Sequence, residues 1–138
     1  MDVRTFTLAE ANALIPQVAE GLDAAKTVLD ELRDVRDQLA DLRIVWGDKV
    51  EESSCPDHDE YVGFRDRFVA LEKELAARLG AVRDFGCEVK DPDQGLVDFY
   101  AKRRDEIVFL CWRRGEPRIE FWHSLEAGFA GRRPIQTL

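Results

Sequence analysis

The stretch TLAEANALIPQVAEGLDAAKTVLDELRDVRDQL, residues 7–39, decides the first half of the fold. Apolar side chains recur along it at spacings of three and four residues, which is typical of a helix that packs along a partner helix. One series is Leu8, Ile15, Leu22 and Leu29, and the other is Ala11, Val18, Ala25, Leu32 and Leu39. We expect a helix from residue 8 to about 45, roughly 55 Å long, which has to lie along a partner.

The start of this helix is marked by a capping pattern. Thr7 suits the N-cap, and Glu10, three residues later, can bond back to the Thr7 amide. Phe6 before the cap can contact Ala11, which forms a hydrophobic staple. Pro16 removes one helical hydrogen bond, so we expect a bend there rather than a break.

A second helix is predicted from Asp57 to about Phe85, after the polar connection GDKVEESSCPD at residues 47–57. Glycine at position 86 suits the end of that helix. Its apolar stripe consists of Tyr61, Phe64, Phe68, Leu71, Leu75, Leu79 and Val82. Two long helices joined by a short connection form an antiparallel hairpin.

The pattern changes to strands after Gly86, where β-branched and aromatic residues follow a period of two. We predict strands at Cys87–Lys90, Leu96–Ala101, Glu106–Trp112 and Arg118–Trp122. Short connections with turn residues predict that consecutive strands pair as an antiparallel meander. Because Glu106–Trp112 is apolar on both faces, we expect it to be a central strand that is covered on both sides.

These elements predict an α+β fold, a long antiparallel α-helical hairpin followed by a small antiparallel β-meander of about four strands. We expect one domain over residues 1–138, with the hairpin in 1–85 and the sheet and C-terminal tail in 86–138. The long apolar seam and the doubly apolar strand favour a homodimer.

The net charge is −8, and its distribution is uneven. Residues 1–100 carry 12 basic against 23 acidic side chains, whereas residues 101–138 carry 8 against 5. An acidic chain of this kind argues against nucleic-acid binding, while the basic C-terminal third leaves a small anionic ligand or a protein partner open. There is no stretch apolar enough for a membrane span and no signal peptide, and the three cysteines favour reduced thiols in a cytoplasm.

His123 is the first candidate for chemistry, at the mouth of the predicted sheet. If the last strand continues, His123 joins Ile119 and Phe121 on one face. Near a carboxylate it would act as a general base or a metal ligand, and the candidate carboxylates are Asp91, Asp98 and Glu126. The structural alternative, which we favour, is a histidine that closes the sheet by bonding to a backbone carbonyl or a structural aspartate.

Asp98 interrupts the apolar run GLVDFYA at residues 95–101. If it is buried it requires a donor such as Arg104, Arg118 or Arg132, and it could then bind a ligand or act as an acid. The interpretation we favour is that Asp98 faces solvent, because Val97 and Phe99 alternate with it.

The segment GFAGRRP, residues 128–134, could hold a phosphate or carboxylate with backbone amides and the side chains of Arg132 and Arg133. Trp122 could stack a planar ligand beside them. The alternative, which we favour, is a tail in which Phe129 and Ile135 fill the core while the two arginines pair with the acidic helices. No complete nucleotide, metal or catalytic motif is present, so no cofactor is implied.

Three segments together resemble an uncharacterised prokaryotic family known as domain of unknown function 2203. They are FTLAEANALIP at 6–16, VKDPDQGLVDF at 89–99 and LCWRRGEPRIEFWHSLEAGFAGRRPI at 110–135. The resemblance implies a helical hairpin followed by a small sheet, and it implies no activity, ligand or catalytic residue.

Two functions therefore stay open. The first, which we favour, is a cytoplasmic interaction or small binding module that acts as a homodimer. The second is an enzyme, or an anion-binding or metal-binding protein, with its site around His123 and Arg132.

Overall fold

The computed structural model describes residues 3–138, which form two long helices followed by a sheet of five strands. Helix α1 spans Leu8–Trp46, a 3₁₀ helix spans Gly47–Glu51, and α2 spans His58–Arg83. The strands are β1 Glu88–Asp91, β2 Leu96–Arg103, β3 Glu106–Arg113, β4 Phe121–Ser124 and β5 Arg133–Pro134. The predicted α+β class, with helices first and sheet second, is confirmed.

The predicted capping box opens α1. The Thr7 amide donates to Glu10 Oε1 at 2.9 Å, and the Glu10 amide donates to Thr7 Oγ1 at 3.1 Å. Phe6 and Ala11, the two residues of the predicted staple, are both buried in the same apolar cluster. Two amides at the helix start, which have no helical acceptor, are therefore satisfied by side chains.

The chain forms two compact units, one of residues 25–77 and the other of residues 3–24 together with 78–138. The unit of residues 25–77 is an antiparallel helical hairpin, since Glu31 pairs with Arg67 while Arg43 bonds to the Tyr61 hydroxyl. Its core is made of Val28, Val35 and Leu71, with Leu32, Leu39, Phe64, Phe68 and Leu75 packed around them.

The other unit contains the whole sheet, in which each strand pairs antiparallel with the next. Strand β3 lies in the centre, and Val108 to Trp112 are all buried, as the doubly apolar pattern predicts. One face, here called the inner face, carries Val97, Phe99, Ala101, Val108, Leu110, Trp112 and Trp122. These side chains pack against Ala11, Ile15 and Val18 of α1 and Val82 of α2.

The opposite face of the sheet, here called the outer face, carries the alternate residues of the same strands. They are Asp98 and Tyr100 of β2, Phe109 and Cys111 of β3, and Phe121 and His123 of β4. Asp98 is directly opposite Cys111, and Phe109 is directly opposite His123. The outer face therefore brings polar and aromatic side chains together at the middle of the sheet.

The C-terminal strands differ from the prediction in two ways. There are five strands rather than about four, because Arg133 and Pro134 pair with Trp122 and Phe121. The fourth strand begins at Phe121 rather than Arg118, and Ile119 belongs to the inner core instead of sharing a face with His123. The reason is that Ile119 precedes the strand, where period-two alternation does not hold, and its amide bonds to Asn12 Oδ1.

None of the helices within residues 3–138 combines the length and the apolar character that a membrane span requires.

Candidate functional site

Three side chains of different chemistry meet on the outer face, and they are called here the Asp–Cys–His cluster. Asp98, Cys111 and His123 each offer one donor atom, and these atoms lie within 4.8 Å of one another. All three residues are buried, with 2 % exposure for Asp98 and His123 and none for Cys111. Strand pairing creates the cluster, since Asp98 faces Cys111 across β2 and β3, and His123 is diagonal to Cys111 on β4.

Hydrogen bonds on both ring nitrogens fix the orientation of His123. Nδ1 lies 2.7 Å from the Ser124 carbonyl oxygen, and Nε2 lies 3.1 Å from Asp98 Oδ2. Because a carbonyl oxygen can only accept, Nδ1 carries a hydrogen and Nε2 faces the carboxyl group. One proton therefore lies between Nε2 and Asp98, either on the imidazole or on the carboxyl group.

Burial dominates the acid–base behaviour of the other two members. It raises the pKa of Asp98, although the neighbouring His123 and the bond from the Cys111 thiol act in the opposite direction. It also raises the pKa of Cys111 to about 12, with the carboxyl group of Asp98 adding to the effect. The thiol is therefore protonated at neutral pH and donates to Asp98.

Arg132 lies next to the cluster and contacts it through Cys111. Its Nη2 atom donates to the Cys111 carbonyl oxygen at 3.3 Å and to Glu116 Oε1 at 2.6 Å. Its guanidinium also contacts the Cys111 thiol and lowers the pKa of that group in opposition to burial. The side chain of Arg132 is 12 % exposed, so a positive charge is held close to the three donor atoms.

Of the three predicted carboxylate partners, only Asp98 reaches His123. Asp91 instead accepts the amides of Asp93 and Gln94 at 2.9 and 3.1 Å, which closes the β1–β2 turn. Glu126 is exposed and lines an open groove of about 390 Å³ with Glu106, Ile107, Ser124 and Leu125. The candidate site is thus a buried cluster within the sheet rather than an open pocket at its mouth.

The expectation that Asp98 faces solvent is wrong. The strand alternates as predicted, with Val97 and Phe99 on the inner face, but the outer face is also covered at Asp98. Its partners are His123 and Cys111 rather than one of the arginines considered from the sequence. A carboxyl group in an apolar run is either exposed to solvent or buried with a partner. Here the partner is His123, which lies 25 residues away in the sequence.

The expectation that Arg132 pairs with the acidic helices is also wrong, since its acceptor is Glu116 in the β3–β4 connection. Arg133 stacks instead on the Trp122 ring at 5.3 Å. Trp122 itself is buried in the inner core and bonds to Thr137 Oγ1, so it stacks no ligand from the outer face. Ile135 packs against the core as predicted, whereas Phe129 is 39 % exposed and does not fill it.

Cys111 is the member of the cluster that sequence reasoning missed. In the run Glu106–Trp112 it resembles a small apolar side chain, and nothing nearby marks it as a ligand. The signal was the alternation that puts Cys111 and Phe109 on one face, combined with the register of the β2–β3 hairpin. Only the register identifies Asp98 as its cross-strand neighbour.

The chain matches the family model described as an uncharacterized conserved protein, DUF2203, over residues 4–135. The chain belongs to this family. The DUF2203 match includes every residue of the Asp–Cys–His cluster and Arg132. Searches of curated proteins and of solved structures give no match to the chain.

Proposed function

We propose that this protein binds a transition-metal ion, with zinc as the best fit, through Asp98, Cys111 and His123. The observation that carries the proposal is the convergence of a carboxylate oxygen, a sulfur and an imidazole nitrogen within 4.8 Å in a buried site. These are the three donor types that zinc uses in proteins, at bond lengths of about 2.0–2.3 Å. Donors around a tetrahedral zinc ion lie roughly 3.3–3.8 Å apart, and Asp98 and His123 are already 3.1 Å apart.

The hydrogen bond from His123 to the Ser124 carbonyl supports the same function. A histidine ligand commonly donates its second ring N–H to a backbone carbonyl, which fixes the ring and raises the basicity of the ligating nitrogen. Here Nδ1 makes that bond at 2.7 Å and Nε2 is the atom that faces the other two donors. Three protein ligands leave a fourth position for another group, as in zinc sites that act on a substrate.

Metal analysis of the purified full-length chain tests the proposal. We expect about one zinc ion per chain after purification without chelators, or after exposure to zinc followed by desalting. Cys111→Ser and His123→Ala are expected to lose the metal. Cys87→Ser is the matched control, because Cys87 is also buried but bonds to the Val82 carbonyl outside the cluster.

Circular dichroism of each variant shows whether it is folded before its metal content is compared. Absence of stoichiometric zinc, cobalt, manganese, iron, nickel or copper from folded wild-type protein under both treatments would refute the proposal. Equal metal content in wild type and in folded Cys111→Ser and His123→Ala would refute this ligand set.

A second candidate function is an interaction module that acts as a homodimer. It is favoured by Ile44 and Val45 near the end of α1, which are 82 % and 69 % exposed in a strongly charged helical hairpin. Contiguous exposed apolar surface often marks a contact surface, and these two side chains are neighbours in the chain. We propose that a second copy of the chain covers them.

Light scattering at high micromolar concentration tests the dimer. The wild type is expected to have twice the mass of one chain, and Ile44→Glu with Val45→Glu is expected to give monomers. Val69→Glu is the control, since Val69 is a partly exposed apolar residue of the other helix. A wild type that is monomeric at that concentration would contradict this second function and leave the metal site untouched.

A further inference from the structure

We infer that the fourth position of the proposed metal ion takes a small oxyanion, a carboxylate or a phosphate, whose second oxygen is bound by Arg132. This inference rests on the proposed metal site and names the class of ligand that completes it.

Two aromatic rings lie against the guanidinium of Arg132 and hold it in position. The Phe121 ring centroid lies 4.1 Å from Cζ and the Phe129 ring centroid lies 4.7 Å from it. Stacking of this kind holds a cation in place and lowers the loss of side-chain entropy when it binds a ligand. Because the same group contacts Cys111, it is held next to one of the three metal donors.

The Nε–H group of Arg132 is buried and unpaired. Nη2 is occupied by Glu116 and by the Cys111 carbonyl, but no acceptor within residues 3–138 bonds to Nε. A buried N–H without an acceptor costs about 1–3 kcal/mol, so such groups usually mark a missing partner. An oxyanion supplies the acceptor, and arginine is the side chain that binds carboxylate and phosphate best.

The charges of the site are compatible with an anion as that partner. A divalent ion that displaces the Cys111 thiol proton and the proton between His123 and Asp98 forms a site with no net charge, so its ligands leave no excess negative charge to repel an anion. Arg132 is positive and its one carboxylate partner, Glu116, is bound at Nη2. An oxyanion with one oxygen on the metal and another on Nε therefore meets two positive centres and no unpaired carboxylate.

Arg133 shows that this placement is specific to Arg132. The two arginines are adjacent in sequence, but Arg133 is exposed and its guanidinium lies over Trp122, whose ring belongs to the inner core. Phe129, whose ring lies against the Arg132 guanidinium, is itself 39 % exposed and begins the 3₁₀ helix Phe129–Gly131.

Cobalt substitution of the full-length protein tests the inference. Cobalt(II) occupies zinc sites and gives visible absorption bands that depend on its ligands. We expect the cobalt-loaded wild type to change its spectrum saturably when sodium phosphate or sodium acetate is added. Arg132→Gln is expected to weaken this response on the order of tenfold or more, since it removes a charged hydrogen bond, while cobalt loading is unchanged.

Arg133→Gln is the matched control and is expected to respond as the wild type does. A response to phosphate alone or to acetate alone supports the inference and assigns the oxyanion. If Arg132→Gln does not fold, broadening of the phosphorus resonance of phosphate by the bound cobalt in the wild type provides an independent readout for phosphate.

Failures of the two proposals are distinguishable. A wild type that acquires no cobalt spectrum refutes the metal site itself. A wild type that binds cobalt but responds to neither anion up to high millimolar concentration refutes the oxyanion, and the metal site stands. An equal response in folded Arg132→Gln and wild type refutes the role of Arg132.

Discussion

Asp98 and His123 are polar side chains in the interior of a sheet, and each provides the hydrogen-bond partner that the other needs when it is buried. Both side chains are 3 % exposed, and the imidazole is bonded on one nitrogen to Asp98 and on the other to a carbonyl. A buried polar group that loses its partner keeps its full desolvation cost. The pair therefore has its largest effect on the free energy of unfolding when only one of its two side chains is removed.

The first prediction concerns Asp98→Ala. We expect it to lower the free energy of unfolding by about 3–5 kcal/mol, because it leaves His123 buried with one nitrogen unsatisfied. Asp98→Asn should cost clearly less, since its amide can donate to Nε2 of a neutral imidazole. Urea denaturation measures both, and exposed Glu126→Ala is the control, with a change of about 0.5 kcal/mol or less. Equal losses for the alanine and asparagine variants would contradict this account.

The second prediction concerns the three thiols, none of which forms a disulfide. Burial raises the pKa of Cys87 to about 11 and that of Cys111 to about 12, whereas Cys55 is partly exposed. Because the thiolate is the reactive form, a thiol reagent at neutral pH should modify Cys55 in the folded protein and the other two only after denaturation. Mass spectrometry of the labelled peptides identifies the modified residues. Labelling of Cys111 as fast as Cys55 would show that the cluster is open to solvent.

At the scale of elements, the two helices approach each other closely at Gly21. A Cβ atom at this position would lie 2.7 Å from Val82 Cγ2, and a valine side chain has little freedom to move away. Glycine is therefore placed in the interior of α1 by packing, although it weakens the helix itself.

The third prediction uses this contact. Gly21→Ala should destabilise the protein by about 1–3 kcal/mol through overpacking. Gly63→Ala in α2, where a Cβ atom would meet nothing within 4 Å, should be neutral or stabilise it by up to about 1 kcal/mol. Thermal or urea unfolding of the two variants compares the same chemical change in two surroundings. If Val82→Ala does not reduce the cost of Gly21→Ala in the double variant, the contact is not the cause.

At the scale of the whole molecule, strand order determines where the backbone is most protected. Strand β3 is paired on both sides and buried on both faces, whereas β5 consists of two exposed residues. The fourth prediction is that hydrogen exchange, followed by mass spectrometry, is slowest in Glu106–Arg113 and fast at Arg133, which carries the one backbone N–H of β5 because Pro134 has none. Slower exchange in β5 than in β3 would mean that its edge is covered in solution.

The sequence was sufficient for the larger features of the molecule. Heptad spacing, the Thr7–Glu10 capping box and the doubly apolar run at 106–112 each act over a few neighbouring residues, so periodicity reveals them. The same reasoning named Asp98 as one of three possible carboxylate partners of His123. It could not choose among the three, because the choice depends on which residue of β2 faces which residue of β3, and on His123 lying diagonal to Cys111.

The tail shows the same limit. The roles predicted for Arg132, Arg133 and Phe129 rested on residue type alone. The contacts that decide those roles come from the β3–β4 connection and from Trp122. Long-range contacts of this kind have no local pattern. Whether the molecule is one domain, a dimer or a cytoplasmic protein stays a prediction.

Strand β4 carries Trp122 and His123 on opposite faces, and this has a consequence for changes in chain length. If one residue is inserted or deleted between β3 and β4 and the strand slips by one position, the imidazole moves into the inner core and the indole out of it. Both faces then lose their fit at once, so such a slip is not a tolerated alternative. We therefore expect insertions and deletions among relatives to lie inside the 114–120 connection, without changing which residues of β4 face the inner side of the sheet and which face the outer side. In homologues whose β4 residues have exchanged faces, residues 98, 111 and 123 should all differ from those of this chain.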